Sequence, residues 1–268
     1  MEKEKEILTL GDEMKSFENK FRYYTSNTQD NVYVLRCDGV SFSKFCKDFD
    51  KPFDKVFRDT MIDTMSELCS KIQGAFLGYT QSDEITILFD ANSCNEVYYA
   101  GNIQKIASIA ASQATNSFNK ALICHAANNE LYVNKVFDGF FDGRVYEIPR
   151  NIAYKTIVWR MSDCYRNAVQ MIARSYFSHK ELYKKTTEQI VEMLINQKGI
   201  DIFIEYSKNN LYGTISYKKE IVLHEGKDTE CIRKKWFLSN AKEFDMKSYF
   251  ETIWLTKPYS LKRIGLFL

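Results

Sequence analysis

Asp38 and Asp83 are the two residues whose positions invite chemistry. Asp38 follows a short apolar run, Val32 to Leu35, that reads as a buried strand, and Gly39 marks a turn after it. Asp83 lies in the polar stretch Thr80-Gln81-Ser82-Asp83-Glu84, between two further strand-like runs, Ala75 to Tyr79 and Ile85 to Phe89. In a compact sheet a strand end and a hairpin tip can meet at one edge. Carboxylates meeting there, with a backbone carbonyl such as that of Gly39, supply the hard oxygen ligands that Mg²⁺ prefers. Two such ions could activate an attacking hydroxyl and stabilise a leaving pyrophosphate. Aspartate also caps and turns well, so position and spacing alone leave a turn role and a metal role both open.

The elements around these acids follow from periodicity. A helix is expected from Pro52, with Phe53, Val56, Phe57, Met61, Met65, Leu68 and Ile72 on its apolar face and Gly74 as its stop. A second fits Glu96 to Asn119, and Leu122 to Ala126 and Val145 to Ile148 read as further strands. Strand, helix, two strands, helix, strand is an α+β order, which packs as an antiparallel sheet flanked by helices on the ferredoxin-like plan. After Pro149 the texture changes. A long helical pattern covers Ile152 to Phe177, and Ser178-His179-Lys180-Glu181 has the form of a capping box opening a new helix. Thr186 to Gln197 is another helix candidate closed by Gly199, Thr214 to Leu223 alternates like a strand, and the rest reads weakly. The chain is therefore expected to be one catalytic unit: residues 1–150 carry the metal site, and 151–268 form a mainly helical extension with some strand.

Composition narrows the class. The 268 residues carry a net charge of +2, so no global basic field marks a nucleic-acid binder. Positive charge is instead local, with Lys155, Arg160, Arg166, Arg174, Lys180, Lys184 and Lys185 in a stretch with few acids. Such a stretch suits phosphate contacts and equally suits a solvated helix face. No apolar run reaches eighteen residues, which argues against a membrane span. The start is rich in Glu and Lys and has the pattern of neither a signal nor a transit peptide. Seven scattered cysteines without a C-x-x-C pair point to free thiols in a reducing, cytoplasmic setting.

At the acids the chain becomes recognisable. Val34-Leu35-Arg36-Cys37-Asp38-Gly39-Val40-Ser41-Phe42 and Gly78-Tyr79-Thr80-Gln81-Ser82-Asp83-Glu84 resemble the two metal motifs of the tRNA(His) guanylyltransferase family. Phe141-Asp142-Gly143-Arg144-Val145 and Trp159-Arg160 match further signatures in the same order, over a span from about Leu10 to beyond Gly213. Where eukaryotic members carry His-Ile-Asn-Asn-Leu-Tyr-Asn, this chain has Asp163 to Met171, followed by Tyr176-Phe177-Ser178-His179-Lys180-Glu181-Leu182. That pairing resembles the guanylyltransferase-like branch, which repairs truncated tRNA 5′ ends by copying the opposite strand.

The resemblance implies a polymerase-like palm, a homotetramer, two Mg²⁺ ions, and tRNA and nucleoside triphosphates as partners, with ATP or GTP activating the 5′ end. It assigns metal binding to Asp38, the Gly39 carbonyl and Asp83, with Glu84 assisting. It assigns base stacking to Phe42 and triphosphate contacts to Ser82 and Lys44. Arg144, Arg160, Asp163, Arg166, Asn167, His179 and Lys180 become candidates for phosphate and tRNA-end binding. Val40 and Ser43 depart from the basic residue and the histidine usual beside the first metal motif, which touches nucleotide contacts rather than metal ligation. His125 and His224 read as core or surface residues. Single-G addition to tRNA(His), nucleotidyl cyclisation and non-catalytic tRNA binding are the alternatives; the paired acids disfavour the last, and the tRNA-type signatures disfavour cyclisation.

Overall fold

The structure, a computed structural model, describes residues 14–16, 19–20, 22–26, 30–91, 96–224 and 230–255. Strand β1 (Asn31–Gly39) leads through a short helix α1 (Phe42–Phe45) into α2 (Lys55–Lys71) and the hairpin β2 (Ala75–Gln81) and β3 (Glu84–Phe89). Helices α3 (Ile103–Ala126) and α4 (Glu130–Val133) then precede β4 (Phe141–Pro149). These strands lie in the order β4-β1-β3-β2, antiparallel throughout, which is the ferredoxin-like arrangement. The chain continues through α5 (Ala153–Arg174), α6 (His179–Leu182), α7 (Thr187–Met193), α8 (Ile202–Glu205) and α9 (Lys208–Tyr212). A second hairpin, β5 (Thr214–His224) and β6 (Glu230–Asn240), extends the same sheet beyond β2, and α10 (Met246–Leu255) follows.

The apolar run of β1 is continuous because both faces of that strand are buried. Leu35 and Cys37 join Ile85 and Ile87 beneath α2 and α3. Val34 joins Leu77, Tyr79 and Leu88 beneath Ile157 of α5 and Phe250 of α10. The far half of α5, through Val169 and Ile172, forms a third cluster with Leu182, Ile190 and Ile202. One helix thus ties the sheet to the helical extension.

Several boundaries differ from the sequence reading. Leu122 to Ala126 is the last turns of α3, not a strand, because Ile106, Ala110, Ala114, Phe118, Leu122 and Ala126 form one buried four-residue series. A five-residue apolar run is locally ambiguous; here the series it continues decides. Helix α3 also begins at Ile103, where the Asn102 side chain accepts from the Lys105 amide. Helix α2 begins at Lys55 rather than Pro52, since Asp54 caps it through the Phe57 amide at 2.8 Å. The capping box at Ser178 is present, with Glu181 accepting from both the Ser178 amide and hydroxyl. Cys37, Cys69 and Cys164 are buried free thiols, Cys46 is half-buried and Cys124 exposed, while the side chains of Cys94, Cys231 and His224 lie outside the described residues. His125 sits on α3, not a strand, and meets Asp63 at 2.7 Å. Among the described residues no helix is long and apolar enough to cross a membrane.

Candidate active site

Antiparallel register brings the acids to one end of the sheet. Asp38 ends β1 opposite Glu84 on β3 and opposite Asp142 on β4, so three carboxylate-bearing residues lie abreast. One step inward, Arg36 lies beside Thr86 and Arg144. Cross-strand neighbours share a face, so a row of acids is bordered by a row containing two arginines. The β2–β3 turn is only Ser82–Asp83, and the Gly39 amide donates to the Asp83 carbonyl at 3.0 Å, which joins the turn to the end of β1.

Glycine is required at position 39 by packing rather than by φ. A Cβ there would lie 2.5 Å from the Phe42 ring. Ser41 and Ser82, flanking the acids, both adopt left-handed φ of 58° and 48°, a conformation that costs a non-glycine residue about 1–2 kcal/mol.

Burial pushes the Asp83 carboxyl above its usual range, and the neighbouring Asp38 charge adds to this, against hydrogen bonds from its own backbone and from Ser82. A half-buried carboxylate repelled by a second one is a site that a divalent cation stabilises. Among the described residues no three His, Cys, Asp or Glu side chains are grouped to hold a metal. Two carboxylates and a carbonyl nevertheless fit Mg²⁺, which is commonly held by one or two carboxylates while waters and substrate phosphates complete its shell.

Glu84 is engaged elsewhere. Arg160 of α5 grips it with two bonds of 2.7 Å, both residues being 7% exposed. Burial raises the Glu84 carboxyl even though Arg160 draws it down. Arg160 also reaches Asp163 at 2.9 Å, and Asp163 in turn pairs with the exposed Arg166. Arg160 and Asp163 therefore form a clamp on the β3 start rather than a free phosphate fork. Arg144 bonds Asp142 at 2.9 Å and lies 3.8 Å from Asp38.

A cavity of about 490 Å³ opens beside Asp83, between the α1–α2 connection and α5. Ser82, Asp83, Phe53, Arg58, Asn167, Arg174 and Asn210 are among its walls. Gln170 and Arg174 also line a second cavity of about 380 Å³, bounded by His179 and Tyr183. Arg160, Asn167 and Arg174 recur every seven residues along one stripe of α5, about 10 Å apart. Lys180 is exposed beside His179 on α6, and Lys44 is exposed on α1.

Phe42 departs from its expected role. Its ring packs against Phe45, Phe118 and Phe141 at 4.8, 5.3 and 5.1 Å and is 3% exposed, so it buttresses Gly39 and meets the cavity only as part of its wall rather than as an open stacking face. Sequence reading also passed over Arg36 and Asp142. Both stood inside the quoted motifs, but only register shows that they flank Asp38. The Arg36 Nε is buried and without a hydrogen-bond partner.

Comparison with known proteins bears on the fold and the family. The tRNAHis guanylyltransferase family profile matches residues 11–149. An uncharacterised protein of Acanthamoeba polyphaga mimivirus is 29% identical over 264 residues, spanning 91% of this chain and 87% of its own. A bacterial tRNA(His) guanylyltransferase-like protein in complex with ATP superposes with a TM-score of 0.75 at 28% identity, covering 90% of this chain and 98% of that one. Such a protein in complex with GTP gives 0.66 at 26% identity, over 91% and 97%. The tRNA(His) guanylyltransferase of Saccharomyces cerevisiae shares the fold, with a TM-score of 0.60 at 18% identity over 74% and 90%.

Proposed function

Because the chain belongs to the tRNA(His) guanylyltransferase family, and is therefore a nucleotidyltransferase acting on the 5′ end of tRNA, we propose that it works as a template-reading 3′–5′ polymerase that repairs truncated tRNA 5′ ends. The observation that carries this reading is its near end-to-end likeness to a guanylyltransferase-like protein. The Asp163 to Met171 stretch, which departs from the eukaryotic His-Ile-Asn-Asn-Leu-Tyr-Asn run, supports it.

In this reading ATP or GTP first nucleotidylates a 5′-monophosphate with release of pyrophosphate, and the 3′-hydroxyl of an incoming nucleoside triphosphate then attacks the activated phosphate, losing its proton and expelling AMP or GMP. The new end carries a triphosphate, from which addition can continue. Asp38, the Gly39 carbonyl and Asp83 would hold Mg²⁺, which when bound supplies Lewis-acid stabilisation of the attacking and leaving oxygens. The cavity beside Asp83 falls within the range of about 300–1,000 Å³ usual for small-ligand sites and admits a nucleotide. Ser82 stands at its rim for a triphosphate oxygen, and Lys44 is exposed nearby on α1 for the same charge. Asn167 and Arg174 present polar groups from α5. Arg144 places a cation between Asp38 and Asp142, where phosphate charge gathers during transfer. Arg166, His179 and Lys180 face solvent and are available to the tRNA end. Glu84 and Arg160 hold the β3 start and so fix the Ser82–Asp83 turn.

The deciding experiment uses 5′-monophosphorylated tRNAs of several identities, each lacking its first nucleotide, with Mg²⁺, ATP and all four triphosphates. Repair dictated by the base opposite the gap, whatever the tRNA, is the expected result. Addition of a single G to tRNA(His) alone would refute templated repair.

A further inference from the structure

The chain beside the acid end shows three large apolar side chains to solvent. Val40, directly after Gly39, is 49% exposed, and Phe140 and Phe137, just ahead of β4, are 56% and 71% exposed. The Val40 amide donates to the Phe140 carbonyl at 2.8 Å, which sets those two residues side by side. Phe137 stands three residues back, at most about 11 Å away. Among the described residues neither exposed ring packs on another aromatic ring.

The fold holds this segment in place deliberately. Phe137 has a left-handed φ of 74°, an outlier for a bulky residue. Asn119 of α3, only 4% exposed, fixes it there: its Oδ1 accepts from the Phe137 amide at 2.7 Å, and its Nδ2 donates to the Gly139 carbonyl at 3.0 Å. Glycine is required at 139, because a Cβ would lie 2.5 Å from the Phe118 ring. A buried amide, a strained turn and a required glycine thus secure a segment whose two exposed rings stay largely outside the core. Single exposed apolar residues need no account, but a group of them at one place marks a binding surface.

Position identifies the occupant. The cavity beside Asp83 adjoins the β2–β3 turn, and none of Val40, Phe137 and Phe140 lines it. In the strand order β4-β1-β3-β2, Val40 and Phe140 join β1 to β4, on the other side of Asp38. Transfer between two substrates needs both of them beside the acids. With the triphosphate in the cavity, the β1–β4 edge is left for the RNA end. Every base has a flat face that stacks on an aromatic side chain regardless of its identity. Arg144, on the same edge strand and 3.8 Å from Asp38, supplies a cation for the attached phosphate. Val40 replaces the basic residue usual in the family, so an apolar contact stands where a charged one is the rule. A second copy of the chain docked here would instead obstruct the approach to Asp38.

We propose that Phe140 and Phe137, with Val40, form a stacking platform for the 5′-terminal base of the substrate RNA. The inference rests on the proposed action at tRNA 5′ ends. Stacking there presents the 5′-phosphate to the acids without reading the base, as repair of tRNAs of any identity requires.

The test is a cycle between protein and RNA. Dissociation constants are measured for the intact chain and for a Phe137→Gly/Phe140→Ser variant. Each is tested with a 5′-monophosphorylated tRNA and with the same tRNA made abasic at its first nucleotide. Either change alone should weaken binding roughly 5- to 150-fold, the range for one base–aromatic stack. Both together should cost no more than one, because they remove the same contact. The Tm of the variant should hold or rise, since glycine accepts the φ at 137 without strain. A Phe137→Tyr/Phe140→Tyr variant should bind like the intact chain. Unchanged affinity in the glycine–serine variant, or losses that simply add, overturns the platform. So does a variant whose sedimentation mass falls, which would make this edge an interface between copies. Should the variant fail to fold, the intact chain still decides: equal affinity for the abasic and natural tRNAs overturns the platform. If the intact chain binds no tRNA, this inference and the reading beneath it fall together, whereas normal binding with additive losses overturns this inference alone.

Discussion

Replacing Arg160 by methionine removes the fork that holds Glu84 while keeping an apolar stem of similar length. Both residues are 7% exposed, and the two bonds are 2.7 Å each. In Arg160→Met the Glu84 carboxylate keeps the Thr86 hydroxyl at 3.2 Å and the nearby Arg36 charge, but no direct ion pair. Leaving one member of a buried pair uncompensated costs about 3–5 kcal/mol. At about 2–4 °C per kcal/mol for a chain near this size, Tm should fall by roughly 6–20 °C. Burial already raises the Glu84 carboxyl, and losing Arg160 raises it further. A raised acid binds its proton more tightly folded than unfolded, so it contributes stability when protonated and loses it as pH rises through the folded value. The variant should therefore close on the wild type as pH falls toward the unfolded glutamate value of about 4.3. Differential scanning calorimetry from neutral to acid pH reads both effects. Adding Glu84→Met should restore most of the loss, since well-packed apolar replacements of buried pairs are often neutral or better, and Asp163 keeps Arg166 as its partner. A loss under about 1 kcal/mol at neutral pH would match an exposed pair instead. That result, or a gap that widens toward acid, would refute the clamp.

Asp38→Ala and Asp83→Ala should each abolish nucleotide addition while leaving tRNA binding nearly intact; full turnover by either in Mg²⁺ would remove the metal assignment. Gly39→Ala drives a methyl into the Phe42 ring at 2.5 Å. It should cost about 1–3 kcal/mol in thermal unfolding and lower turnover at temperatures where the protein stays folded. Tyr132→Phe deletes a buried 2.8 Å bond to Asp54, which also accepts from the Asp50 and Phe57 amides. A loss of about 1.5–3 kcal/mol by denaturant titration is expected, as for a hydrogen bond to a charged group. Lys180→Ala should raise KM for the triphosphate or the tRNA end, and unchanged values for both would exclude the residue.

The alternation of the palm was legible because each element carried its own local signal. Val32 to Leu35 is apolar on both faces, Phe53 to Ile72 keeps the helical period, and Ser178 and Glu181 stand three apart. The two acid-bearing motifs were legible by resemblance. What escaped depends on partners distant in sequence. Asp142 and Arg36 gain meaning only from the register that sets them against Asp38 and Arg144. Phe42 looked open for stacking, but Phe118 and Phe141 pack over most of its ring and leave it as part of the cavity wall. Asn210 reaches the cavity because α9 folds back beside α5, with Arg58 of α2 3.3 Å away. Helix α3 overran its expected end because tertiary burial, rather than local β preference, governs Leu122.

The seven-residue spacing of Arg160, Asn167 and Arg174 makes α5 a ruler. Its near half is seated on the sheet and its far half in the third cluster, so it cannot slide without disturbing both. The separation between the acid end and the cavity at His179 is thereby written in helix length. A single inserted residue would turn everything beyond it by about 100° and carry Asn167 and Arg174 off the cleft wall. Seven inserted residues would restore the face and lengthen the ruler by about 10 Å. Among relatives that differ in how much of a substrate they span, α5 would therefore vary in whole pairs of turns.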